Sequence, residues 1–131
     1  MTGAGTHPLP ERPFYLIVLA AAPAIWIGHF LLSYLTVSIW CSPRFVTPMA
    51  PLGLVPWLIA GYTIVALGGI ALVARSGYRR HRYGSETAPH DSNTPEDRHR
   101  FLGFATLLLA GLSAVATIYV AMSAIFFQTC R

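Results

Sequence analysis

Three long apolar stretches, separated by short polar ones, set the pattern of the chain. No Asp, Glu, Lys or Arg occurs from Phe14 to Trp40, from Phe45 to Ala74, or from Phe101 to Cys130. A helix that crosses roughly 30 Å of hydrocarbon needs about 20 apolar residues, and each stretch is long enough. The pattern predicts transmembrane helices near residues 14–40, 54–74 and 101–128. The fold class is therefore all-α, an integral membrane three-helix bundle forming one domain over residues 1–131. A secretory signal is the competing reading of the first stretch, because "LAAAPA" offers small residues for cleavage. Only six apolar residues, Phe14 to Leu19, precede it, against about 7–15 in such a signal. The apolar run also continues far past it, so the stretch reads as a retained helix.

Charge adds an orientation. All nine basic residues are Arg. Arg12, Arg75, Arg79, Arg80, Arg82, Arg98 and Arg100 fall on one side of the predicted helices, and only Arg44 and Arg131 on the other. The positive-inside rule places the N-terminus and residues 76–100 in the cytoplasm and the C-terminus outside, in a bacterial inner membrane. The net charge of +4 then reads as a topology signal, not as a nucleic-acid footprint. Arg79, Arg80 and Arg82 are expected to meet anionic lipid. Residues 76–100 read as a basic and then disordered loop, since "SETAPHDSNTPED" has nothing apolar beyond an alanine to bury. Asp97 is expected to favour the start of the third helix. A composition that is 54% hydrophobic and 11% charged, with a mean hydropathy of +0.54, excludes an ordinary soluble domain.

Candidate chemistry is sparse. Cys41 and Cys130 end the first and third helices, which run in the same direction, so both thiols are expected on the outer face. An oxidising compartment permits a disulfide there, one that closes a long loop. The alternative is a reduced pair holding Cu(I), with Met49 nearby. His29 lies inside the first helix and must be shielded or paired. Ala22, Trp26, Ser33, Thr36 and Trp40 share its face at helical spacing, so that face is expected to meet another helix. A helix–helix hydrogen bond is the first reading of His29; haem or quinone contact with Trp26 is the alternative. No second histidine falls in the apolar stretches, so one chain offers no bis-His haem site. Tyr34, in line with Ser38 and Cys41, is expected to tether the helix through its hydroxyl. Small residues predict close helix packing, within the bundle or against a partner subunit: Gly61, Gly68 and Gly69 on the second helix, and Ala110, Ala114, Thr117, Ala121 and Ala124 on the third. Catalytic triads, metal-ligand spacings and phosphate-binding glycine loops are absent from the sequence. No enzyme is expected, and no cofactor beyond the haem, quinone or copper alternatives.

Two motifs carry a family resemblance. Pro23, Trp26, His29, Phe30, Tyr34 and Cys41 form one pattern, and "DRHRFLGFATLLLAGLSAVATIYVAMSAIFFQTC" the other. Both resemble small bacterial membrane proteins encoded beside haem–copper cytochrome c oxidase subunits and their assembly factors. The resemblance covers helices one and three. It implies a respiratory-oxidase context, as an accessory subunit or assembly helper among other membrane subunits, and implies no activity of its own.

Overall fold

The computed structural model describes residues 14–42, 53–82 and 95–126. These form three helices: α1, Phe14–Trp40; α2, Leu54–His81; and α3, Pro95–Phe126. All three are long and apolar enough to cross a membrane, by length and composition. At 27, 28 and 32 residues they run to roughly 40–48 Å, so their ends reach beyond the hydrocarbon. Pro23 lies inside α1. Its missing N–H removes one backbone bond, which a membrane helix tolerates where neighbouring helices pack against it.

Two boundaries differ from those the hydrophobic pattern predicts. α2 continues seven residues past Ala74 to His81, and α3 starts six residues before Phe101. The end of an apolar run marks where a membrane stops, not where a helix stops. Arginine is a good helix former, and Arg79, Arg80 and His81 in the last turn of α2 oppose the negative helix end. Pro95 opens α3, at a position where its missing N–H has no intrahelical role. Both ends of the expected 76–100 loop are thus helical; residues 83–94 lie outside the described residues, as does the side chain of Asp97.

The bundle is built inside out relative to a soluble domain. Large apolar side chains point away from it: Trp57, Val65 and Phe126 are each about three-quarters exposed. The interior is mostly small or polar, with Ile59 and Ile70 as its larger apolar members. Ala22, Ile70 and Ala110 form the core, with Ile25, Val73, Ala74 and Ala114 packed against it. His29, Ser33, Thr106, Ser113 and Thr117 are buried as well. Without a hydrophobic force between helices in lipid, contact area and hydrogen bonds must hold them, and small residues bring backbones close.

The closest approach is between α2 and α3, near Gly77 and Gly103. A Cβ on Gly103 would stand 2.8 Å from the His81 nitrogen and 2.9 Å from the Gly77 oxygen. One on Gly77 would meet the Gly103 oxygen at 3.0 Å and Thr106 at 3.1 Å. The two backbones touch there, with no room for a side chain. At the same end, Arg100 Nε donates to the His81 carbonyl oxygen at 3.4 Å, capping one of the last carbonyls of α2.

Candidate functional site: a polar layer between the helices

Register between the helices follows from a few contacts. Ile25 of α1 packs against Gly69 of α2, its Cδ1 3.2 Å from where a Cβ would be. Four residues further along α1, His29 Nε2 lies 3.0 Å from Thr63 Oγ1. Thr63 is fourteen residues before Gly77 in α2, and Thr117 is fourteen residues after Gly103 in α3. Because α2 and α3 cross at those glycines and run antiparallel, Thr117 lies at the depth of the His29–Thr63 pair. His29, Thr63 and Thr117 therefore make one polar layer midway along the bundle, with Ser33 one turn to one side of it and Ser113 one turn to the other.

The hydrogen bonds of that layer fix the tautomer of His29. Thr63 Oγ1 is 2.7 Å from the Ile59 carbonyl oxygen. A carbonyl oxygen only accepts, so the hydroxyl proton of Thr63 lies on that bond. The 3.0 Å contact to His29 then requires Nε2–H as donor and Thr63 Oγ1 as acceptor. The three apolar stretches carry no acidic side chain to offset a buried charge, so the ring is neutral and Nδ1 is a bare acceptor. The other hydroxyls are mostly satisfied within their own helices. Thr106 donates to the Leu102 oxygen at 2.7 Å, Thr117 to the Ser113 oxygen at 2.8 Å, and Ser76 to the Val73 oxygen at 2.7 Å. Such back-bonding is the usual solution for Ser and Thr in a helix.

Three atoms on one face of α1 depart from that solution. Trp26 Nε1, His29 Nδ1 and Ser33 Oγ are buried, and none has a hydrogen-bond partner. Each such atom costs about 1–3 kcal/mol when left unpaired. His29 and Ser33 are both only 3% exposed, so the ring is enclosed by this chain's own helices. A haem or quinone approaching His29 would have to part them. Trp26 is half-buried beside them.

The remaining candidate residues divide between the bundle interior and its outer face. Ala110, Thr117 and Ala121 of α3 are buried, and Ala114 packs against the core from its edge. A correction applies to Gly61 and Gly68 within the bundle, though not to their expected packing against a partner subunit. Both are exposed, and a Cβ on either would meet nothing within 4 Å. They face away from the bundle because the inward stripe of α2 runs through Ile59, Ala66, Ile70 and Gly77. Tyr34 is a second correction: it is 61% exposed, and its ring stacks on Phe30 of the same helix at 6.3 Å. It points out of the bundle and ties no helix to another. Cys41 donates its backbone N–H to the Val37 oxygen, and no cysteine among the described residues is a free thiol. Cys130 and Met49 lie outside the described residues, so the expected pairing and its copper alternative do too. Among the described residues, no three His, Cys, Asp or Glu side chains gather as a metal site would require.

Arginines gather at the opposite level. The Arg80 guanidinium lies over the rings of Tyr15 at 5.0 Å and Phe14 at 5.9 Å, and Arg82 lies over Tyr78 at 5.6 Å. Tyr15 meets the His99 ring edge-on at 5.4 Å. These contacts bring the start of α1, the end of α2 and the start of α3 to one end of the bundle. Arg75, Arg79, Arg80, Arg82, Arg98 and Arg100 all belong to that end, where Arg79 and Arg82 are exposed.

Sequence reasoning missed Thr63, Gly77 and Gly103. Thr63 falls one turn after Ile59 on the inward side of α2, and only the antiparallel register shows that it faces His29. Gly77 lies among arginines in "RSGYRR", where the expected loop hid its place in a helix; Gly103, in "RFLGFAT", lies within the expected third helix, where nothing in the sequence marks it as a contact. Comparison with protein-family models, with curated proteins and with solved structures finds no match to this chain.

Proposed function

We propose that the chain is a non-catalytic packing subunit or assembly helper of a larger membrane complex in the bacterial inner membrane. The observation that carries this reading is the His29–Thr63 contact. The one imidazole within the apolar stretches spends its Nε2–H on a neighbouring helix, the use that a packing element makes of an intramembrane polar group. The sequence resemblance described above supports a haem–copper cytochrome c oxidase as that complex. In this reading the arginine-rich end faces the cytoplasm, with the N-terminus in and the C-terminus out. Arg79 and Arg82, two of the exposed arginines of the cluster, with Arg80 beside them, then meet anionic headgroups. A Cys41–Cys130 disulfide on the outer face ties α1 to the segment following α3.

Affinity isolation of the tagged chain in mild detergent, followed by mass spectrometry and an absorption spectrum, tests the proposal. Oxidase subunits are expected in the eluate, and no Soret band belonging to this chain when it is purified away from them. A chain recovered alone with its own bound haem or quinone would overturn the packing role in favour of a ligand-binding one. Orientation has its own test. A reporter fused after Arg131 should be active outside the cytoplasm and one inserted near Asn93 inside; the reverse pattern would remove both the orientation and the argument for an oxidised cysteine pair.

A further inference from the structure

The polar layer is asymmetric in a way that helix packing alone does not explain. Thr63 and Thr117 are each satisfied by a carbonyl of their own helix. Ser33, buried like Thr117, is not, and neither is the second nitrogen of His29. These two atoms belong to residues four apart on α1, so their side chains project from the same face with Cβ atoms about 5–6 Å apart. Their chemistry is complementary, but neither has a partner. Nδ1 is a bare acceptor that needs a donor, and Ser33 Oγ–H needs an acceptor, yet the two are not bonded to each other.

We propose that His29 Nδ1 and Ser33 Oγ form a binding site for a single water molecule held at mid-bundle depth. Water donates one proton to Nδ1 and accepts the Ser33 hydroxyl proton, spanning the gap with two bonds of about 2.8 Å each. Its second proton remains for a backbone carbonyl, and buried waters in proteins commonly make about three hydrogen bonds. Water is the occupant that fits the chemistry and the enclosure together. A metal cation would need further ligands, and no such group gathers among the described residues. A quinone carbonyl is an acceptor and would leave Nδ1 unsatisfied, and a quinol hydroxyl, which donates, would have to reach a ring only 3% exposed. A haem needs an open edge, which a ring only 3% exposed does not offer. The site completes the chain that starts at the Ile59 oxygen: Thr63 donates to Ile59, His29 Nε2–H donates to Thr63, water donates to Nδ1, and Ser33 donates to water. Every link uses the neutral ring, so the water fixes the same tautomer that the Thr63 bond demands.

The test uses the full chain, isotope-labelled and reconstituted in lipid bilayers, with solid-state NMR transfer of magnetisation from water protons. Rapid transfer is expected to the His29 ring and to the Ser33 side chain, with little to Thr117, which is fully buried at the same depth and already bonded. The His29 nitrogen spectrum should show one protonated nitrogen and one bare, hydrogen-bonded one. Ser33→Ala removes one anchor while shrinking the side chain, so the bundle should still fold, and water transfer to His29 should be lost. Absence of transfer to His29 and Ser33 in the wild type would overturn the proposal. So would equal transfer to Thr117, which would mean general flooding of the bundle, or contacts from a co-purified organic ligand in place of water. Because the readout is hydration and not partner recovery, the packing proposal can fail while this one stands, and the reverse.

Discussion

The bundle is held by different means at its middle and at its arginine-rich end. At the end, α2 and α3 touch backbone to backbone, and the Gly77 and Gly103 positions have no space for even a methyl group. In the middle, α1 and α2 stand far enough apart for an imidazole to reach across and donate to Thr63. The first contact depends on the absence of atoms, the second on one directional bond. Lipid makes both necessary, since hydrocarbon tails compete equally well for apolar side chains. The two contacts should fail differently. Adding one carbon disrupts the glycine crossing, whereas exchanging one hydrogen-bonding group for another preserves the histidine tie.

The largest effect is expected at Gly103. Gly103→Ala places a Cβ within 3 Å of two backbone atoms, neither of which has a rotamer to yield. Overpacking of this kind costs about 1–3 kcal/mol, and with two backbone atoms unable to yield the upper end applies, which outweighs the up to about 1 kcal/mol of helix propensity that alanine brings. Thermal unfolding in detergent should fall clearly, and the pairing of α2 with α3 should loosen by cross-linking. A wild-type melting temperature in the variant would mean that the helices cross with more space than the structure shows.

The middle of the bundle should yield less. His29→Leu removes the donor to Thr63 but leaves the Thr63 hydroxyl bonded to Ile59, so only one interhelical bond is lost. That loss is about 0.6–2 kcal/mol. His29→Gln keeps an amide donor and should retain much of the stability, with assembly and partner activity unchanged at equal expression. A Gln variant that assembles normally yet inactivates its partner complex would reverse this assignment and make His29 a functional ligand.

How far the sequence reveals these contacts depends on the kind of residue that makes them. His29 stands out because a histidine in an apolar run demands a partner, and its face, with Ala22 and Ser33, is correctly read from helical spacing alone. The partner is not legible, since Thr63 is one of many hydroxyls and only the register between helices selects it. Glycines are worse guides. Gly61 and Gly68 look like packing residues because they lie in an apolar helix, whereas Gly77 looks like a loop residue because arginines surround it, and Gly103 at the start of the predicted third helix shows no sign of a close contact. The structure places Gly77 and Gly103 at the helix crossing and Gly61 and Gly68 on the outer face. Apolar sequence signals membrane depth, while close approach is decided by which side of the helix a glycine is on.

That contrast between inward and outward glycines defines the smallest expected effect and the most useful one for function. On the outward face of α2, a Cβ at Gly61 or Gly68 meets open space. Gly61→Ala and Gly68→Ala should therefore leave the isolated protein as stable as before, or slightly more so, because alanine in a helix interior is favoured over glycine by up to about 1 kcal/mol. A double Gly61→Leu, Gly68→Leu variant asks a different question. The two positions are seven residues apart, two turns along one face, and between them a neighbouring helix could approach closely only while both remain small. If a partner subunit docks on this face, recovery of that partner should fall in the double variant while its melting temperature alone stays unchanged. Undiminished recovery would assign the face to lipid and move the docking surface to α1 or α3. A lowered melting temperature of the isolated chain would show instead that these glycines belong to the internal interface, and the contrast between inward and outward glycines would have to be redrawn.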